Sequence, residues 1–427
     1  MTMPLRQLLT SSASLMVSQL ATAGVGFVFW VVAARRFDEA SIGFTSAAIA
    51  AISLLAAIST LGLGTLLIRE IPLNRGSELR MVSAALAISG GLGLALGATF
   101  VFLAPTISEE FAPMIADPLV GLAVVVGTAL TAIGLNADLA LVGLLHSELQ
   151  LVRNIVAAVG RLLLVVASGL LGWQAGSAIM LGSWSLALAL SLGVLVLVAL
   201  QRGRLRSAFP PAWDAIHLHR GSALQHHALN LAIQVPGWIM PLVTLIVLSA
   251  ATNARFYLAW MLVGLASFIP VALTWSLYAS SSRDISTLHR NGRVTLGLSL
   301  AAASASAVVL WIFGPQLLSP FGAAYTQAAA GPLPLLALTL IPVTIKSHFI
   351  VIHRVRGSLA AATLVVATSG ALEVVAATTG ARYGGLIGLS SGLLIAMFVE
   401  SAVMMPTVYR AIISAGGTAR PTWEEQQ

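Results

Sequence analysis

Cysteine is absent from all 427 residues, which excludes disulfides, thiolate nucleophiles and cysteine-based metal sites. Lysine is represented by Lys346 alone among twenty-two Lys and Arg residues, a bias that codon usage in a GC-rich genome accounts for. Charged residues make up 9% of the chain, against about a quarter in an ordinary soluble domain. No G-x-x-x-x-G-K-[ST] segment occurs, so nothing suggests that ATP drives the protein directly. What is there is apolar: hydrophobic residues reach 58% and the mean hydropathy is +0.95. Apolar runs of about twenty residues cross a bilayer as helices, so the composition describes an all-α integral membrane protein. The net charge of +7 follows from topology and calls for no nucleic-acid partner.

About twelve spans are expected, at 8–33, 42–67, 80–104, 118–145, 154–172, 177–200, 222–249, 255–280, 294–314, 331–352, 358–379 and 383–409. The first run is too long for the apolar core of a cleaved signal peptide and reads as a span. The longest polar interruption, Gln201 to Arg220, holds four arginines, two histidines, one acid and a Pro-Pro break. Arginine concentrates there, in the other even-numbered loops and at the termini, which puts both termini in the cytoplasm. The odd loop at 104–118 is acidic instead, with Glu109, Glu110 and Asp117. His146 and His353 follow the fourth and tenth spans, and Gly172–Gly176 and Gly380–Gly384 form the next outer turns at nearly the same offset. These echoes indicate a duplicated six-span unit, its copies related by an axis along the membrane normal. The expected organisation is an N-terminal six-helix bundle (1–200), a basic cytoplasmic linker (201–221), a C-terminal six-helix bundle (222–410) and a cytoplasmic tail (411–427). The two bundles would be pseudo-symmetric about a central cavity.

The stretch RFDEASIGFTSAAIAAISLLAAISTLGLGTLLIREIP, from Arg36 to Pro72, resembles the second-span signature of bacterial polysaccharide (O-antigen type) flippases. Its elements are Gly43-Phe44, Leu61-Gly62-Leu63-Gly64 and the basic, proline-ended loop from Arg69 to Pro72. Phe321-Gly322-Ala323-Ala324-Tyr325 is similar to the family's approach to its tenth span. The resemblance implies the fold of the multidrug/oligosaccharidyl-lipid/polysaccharide exporter superfamily, without the two further spans that its lipid II flippases usually carry. It implies a bacterial inner-membrane flippase, not an enzyme. Such a flippase moves undecaprenyl-pyrophosphate-linked oligosaccharide by alternating access for lipopolysaccharide or exopolysaccharide synthesis. No cofactor is implied beyond a coupling ion, H+ or Na+. The partners implied are the lipid-linked oligosaccharide, membrane lipids, and a polysaccharide polymerase or glycosyltransferases of the same pathway. Two other readings stay open. An ion-coupled multidrug exporter predicts an acidic, narrower cavity. A membrane polysaccharide polymerase or ligase needs a long catalytic outer loop, whereas every odd loop here is short.

Ionisable groups within a bilayer are costly and are functional or paired; those inside the expected spans are Asp138, Arg161, Lys346, Glu373 and Glu400. Asp138 with Arg161, and Lys346 with Glu400, come to matching depths on neighbouring spans. Each is either a helix-locking ion pair or a cavity cation that meets an anionic substrate. Glu373 falls too deep for Lys346 and reads as an unpaired carboxyl: an ion-coupling site, or a protonated group bonded to a neighbouring helix. Spans one and seven carry polar stripes at helical spacing: Ser11, Ser14, Ser18 and Thr22, then Ser222, His226, Asn230 and Gln234, followed by Trp238. The substrate-binding set is therefore Arg35 and Arg36 at the outer leaflet, with Arg161, His226, Asn230, Gln234, Trp238, Lys346 and His348 in the membrane. His217 and His219 are two apart and diverge on a helix, so no metal site is expected. Gly384, Gly388 and Gly392 form a helix-packing row.

Overall fold

The computed structural model describes residues 22–74, 76–213, 220–328 and 331–413. Ser11, Ser14, Ser18, His217, His219 and the tail from residue 414 lie outside the described residues. Among the described residues the regular structure is helical throughout. The first unit of the chain contains α1 (22–36), α2 (Glu39–Ser59), α3 (Leu63–Glu70), α4 (Glu78–Ile107), α5 (Pro118–Gly143), α6 (Ser147–Leu170), α7 (Gly176–Gln201) and α8 (Arg220–Val247). Then follow α9 (Ala250–Ala266), α10 (Phe268–Ser281), α11 (Thr287–Leu318), α12 (Pro332–Leu338), α13 (Leu340–Val355) and α14 (Leu359–Val408). Among the described residues, nine helical stretches are long and apolar enough to cross a membrane, or ten when α9 and α10, bent by 42°, count as one broken span. The expected twelve is compatible with this. Of α1 only 22–36 is described, and α14 breaks at Gly384 and Gly385, which leave helical geometry.

Two compact units divide the chain: Met1–Tyr257 with Leu318–Thr326, and Leu258–Leu317 with Gln327–Gln427. In the first, α2 is the interior helix. It is buried over 72% of its apolar window, whereas α6 and α7 are buried over 22% of theirs. Lipid tails are as apolar as leucine, so helices here associate through close packing and hydrogen bonds. Small residues supply that closeness. A Cβ on Gly93 of α4 would lie 2.8 Å from Ala129 Cα of α5, and one on Gly97 would lie 3.0 Å from Val125 Cα. The Leu61-Gly62-Leu63-Gly64 turn has an equally plain basis. Gly62 takes φ 73°, a left-handed conformation open to glycine. Gly64 leaves room for α5, since its Cβ would stand 2.5 Å from Leu139.

In the second unit, α14 folds back on itself. A Cβ on Gly380 would meet the Gly388 carbonyl oxygen at 2.0 Å, and one on Gly392 would meet that of Ala376 at 2.3 Å. Gly388 and Gly392 are thus the packing face expected from their spacing, while Gly384 is spent in the turn.

Candidate functional site

On α6 the two arginines Arg153 and Arg161 have different surroundings. The Arg153 guanidinium grips Asp138 of α5 in a fork, Nε to Oδ1 at 2.7 Å and Nη2 to Oδ2 at 2.5 Å, and it also donates to Asn154 Oδ1 at 2.8 Å. Its head lies against Gly134, where a Cβ would approach it to 3.1 Å. The pair is buried, with 5% and 15% of the two side chains exposed. The expected Asp138–Arg161 pair is therefore corrected. The helix α6 begins at Ser147 rather than 154, so the residue level with Asp138 lies two turns nearer the helix start.

Freed of that partner, Arg161 projects among aromatic rings contributed by three other helices. Its guanidinium carbon stands 4.5 Å from the centre of the Trp184 ring on α7 and 6.0 Å from that of Phe29 on α1. Trp30 packs edge-on against Phe29 at 5.3 Å and against Tyr257 of α9 at 4.8 Å, and Tyr257 is within electrostatic reach of Arg161. Cation–π attraction of about 0.5–2 kcal/mol holds such a head in place but does not neutralise it. Among the described residues no carboxylate pairs with Arg161. Two buried donors of the cluster, Arg161 Nε and Trp184 Nε1, have no hydrogen-bond acceptor among the described residues. A fixed cation with idle N–H groups and flat apolar walls can take an anion joined to a ring-bearing group.

The second unit holds the other ionic cluster. Lys346 Nζ on α13 donates to Glu373 Oε1 at 2.6 Å and to Glu400 Oε2 at 3.2 Å, one carboxylate from each arm of α14. The expected Lys346–Glu400 pair is present. Glu373, expected to be unpaired, is instead the nearer partner. Depth counted along helix axes leaves out the reach of the side chains: a lysine stem and a glutamate stem together bridge roughly 10 Å, about seven residues of rise. All three residues are buried, at 8%, 5% and 2% exposure.

The remaining expected residues are dispersed. His348 is fully buried, its Nδ1 2.8 Å from the Thr344 carbonyl oxygen. On α8, His226, Asn230 and Trp238 are half-buried and Gln234 is exposed; Gln234 Nε2 lies 3.4 Å from the Asn230 carbonyl oxygen. Arg36 donates to the carbonyls of Val165 and Trp173, each at 2.6 Å, and to Ser168 Oγ at 2.8 Å. Arg35 donates to the Pro320 and Ser319 carbonyls at 2.6 and 3.1 Å. Both arginines thus hold backbone at their end of the molecule.

Near them lies a set of contacts that sequence reasoning missed. Glu39 pairs with Arg255 at 2.7 Å, and buried Asn253 donates to the Gly43 carbonyl at 2.7 Å. The Gly43 backbone abuts that of Ala250 so closely that a Cβ would fall 1.7 Å from the Ala250 oxygen. Gly43 was visible as a motif residue; its partner, some two hundred positions away, was not. Asp38 caps α2 by accepting from the Ser41 N–H at 2.8 Å. Partial burial works against its charge, yet the bonds from Ser41 prevail and hold the carboxyl below its ordinary range. Burial, with Glu39 and Asp38 close by, pushes the Tyr325 hydroxyl well above its ordinary range.

Comparison with known proteins agrees with this architecture. Residues 8–215 match the family described as Polysaccharide biosynthesis protein. Among curated proteins none matches the chain in sequence. Solved structures with the same fold include a multidrug resistance MATE family transporter of the MOP superfamily in an inward-facing conformation. It is 15% identical, with a TM-score of 0.75 over 92% of this chain and 94% of the other. The outward-facing conformation of such a transporter gives 0.63 at 15% identity, over 93% and 94%. The lipid II flippase MurJ, inward closed, gives 0.72 at 12% identity, over 92% and 86%. The fold is the one that these transporters and this flippase share, as the Arg36–Pro72 resemblance implied.

Proposed function

We propose that the chain is a flippase that moves an undecaprenyl-pyrophosphate-linked oligosaccharide across the bacterial cytoplasmic membrane by alternating access. It would serve lipopolysaccharide or exopolysaccharide assembly, with both termini in the cytoplasm and a polymerase or glycosyltransferases as pathway partners. The observation that carries this reading is Arg161, a membrane-embedded cation with no carboxylate partner among the described residues and set among Trp184, Phe29, Trp30 and Tyr257. A pyrophosphate supplies the missing anion and the acceptors for the idle donors, and the sugars beside it suit the aromatic faces. The polysaccharide-biosynthesis match over the first half of the chain and the likeness of fold to a lipid II flippase support it. Lys346 is no equal candidate for the pyrophosphate, because two carboxylates already outweigh its charge.

A multidrug exporter with the same fold is the second reading, but its cationic drugs are repelled by Arg161. A polymerase or ligase lacks support for want of a catalytic outer loop. The test uses purified protein in vesicles carrying a fluorescent undecaprenyl-pyrophosphate oligosaccharide. Translocation is expected for the wild type, partial for Arg161→Lys, which keeps a cation but not its planar fork, and absent for Arg161→Met. A folded Arg161→Met protein that flips the lipid at the wild-type rate removes the reading, as does drug efflux without lipid movement.

A further inference from the structure

The Lys346 cluster carries an uneven charge. Two carboxylates and one ammonium stand together at 8% exposure or less, between α13 and the two arms of α14. Fully ionised, they leave one net negative charge inside an apolar unit, and a buried uncompensated charge is strongly destabilising. The geometry adds a second observation. Glu373 Oε1 and Glu400 Oε2 close on the same ammonium, at 2.6 and 3.2 Å, and Glu400 Oε1 is buried with no hydrogen-bond partner among the described residues. Two ionised carboxylates are acceptors only and cannot bond to each other; one proton between them makes that bond and brings the charge to zero.

Among the described residues, α12 and α13 offer no other source of balance. On α13 the further titratable or charged groups are His348, His353 and Arg354. The His348 ring is turned to the Thr344 carbonyl, the His353 Nδ1 is 2.6 Å from Ser358 Oγ, and Arg354 interacts with Tyr278 of α10. The helix α12 brings none. A metal ion would have to share the space between the carboxylates with the Lys346 ammonium, which already bonds to both.

We propose that Lys346, Glu373 and Glu400 form a binding site for one exchangeable proton, shared by the two carboxyl groups, and that the resident ammonium makes the site reject Na+. The proton is taken from and returned to water, and no other bond is made or broken. Its exchange is how a pH gradient would act on transport; that last step alone rests on the flippase reading.

The test follows the carbonyl stretch of protonated carboxyl groups by infrared difference spectroscopy, on the full-length protein in lipid nanodiscs over a range of pH. A band is expected that disappears in Glu373→Gln and in Glu400→Gln, shifts in frequency in Glu400→Asp, and is the same in NaCl and in choline chloride. Lys346→Met should bind a second proton and roughly double the band. If the Gln variants fail to give monodisperse protein, the Asp variant and the salt comparison decide. A folded protein with no carboxyl band that responds to these substitutions overturns the proposal, and so does a band that Na+ removes. Arg161→Met should keep the band while losing lipid movement, so failure of the flippase reading and failure of the proton site give different results.

Discussion

Replacing Asp138 by Asn leaves the Arg153 guanidinium buried at 5% exposure with its counter-charge gone. Breaking a buried pair from one side costs about 3–5 kcal/mol, because the remaining charge is stranded. The fork has two charge-assisted bonds, at 2.7 and 2.5 Å, which puts this pair toward the upper part of that range. Asn still accepts one bond, and Asn154 keeps another, which brings the expectation to about 3 kcal/mol, or roughly a hundredfold in the folding equilibrium. Replacing both partners, Asp138→Leu with Arg153→Met, removes the stranded charge and should recover most of the loss. Arg161→Met, eight residues further along α6, strands no carboxylate and should leave stability within about 1 kcal/mol of wild type. Denaturant titration of purified protein in mixed micelles, followed by tryptophan fluorescence, reads the wild type and all three variants. The reasoning is refuted if Arg161→Met destabilises as much as Asp138→Asn, or if the double variant is no better than the single one.

Gly43→Ala should lower both stability and yield, since its Cβ would fall 1.7 Å from the Ala250 oxygen; Gly91→Ala, with nothing within 4 Å, should be neutral or stabilise by up to about 1 kcal/mol, and thermal midpoints in detergent compare them. Asp38→Ala removes the cap of α2 and should cost about 1 kcal/mol. The Asp38 carboxyl is held below its ordinary range, so its contribution is present above the unfolded value near 3.9 and fades as pH falls through the folded value. The midpoint difference from wild type should therefore shrink in acid. Asn253→Leu gives up the bonds to the Gly43 carbonyl and Ser46 Oγ, at 2.7 and 3.1 Å. It should cost about 1–3 kcal/mol by the same measurement, because two buried hydrogen bonds are lost, although Ser46 Oγ still donates to the Gly43 carbonyl at 2.9 Å.

Much of the helix plan was legible because each span is a local property: a run of apolar residues closed by polar turns. The glycine spacings in α14 and the Leu61–Gly64 turn were legible for the same reason, since helical periodicity converts spacing into a face. Partner choice was harder. The start of α6 at Ser147 is set by residues that look polar enough for a loop, and that shift of two turns exchanged Arg161 for Arg153 opposite Asp138. Glu373 was misjudged because flexible stems, not helix rise alone, decide which charges meet. The ring cluster at Arg161 draws on α1, α7 and α9, brought together by folding across more than two hundred residues. No periodicity within one helix reports such an arrangement.

The folded-back α14 also bears on how the chain reaches its structure. Its closest approaches join Gly380 to Gly388 and Ala376 to Gly392, sequence separations of eight and sixteen residues (388 − 380 and 392 − 376). Contacts of such low order require little loop closure and form fast, whereas Asn253 must find Gly43 across most of half the chain. The hairpin can therefore zip shut as soon as both of its arms are in the bilayer, before any distant helix has been located. It then enters the assembly as a finished piece, and Glu373 and Glu400 reach Lys346 already side by side.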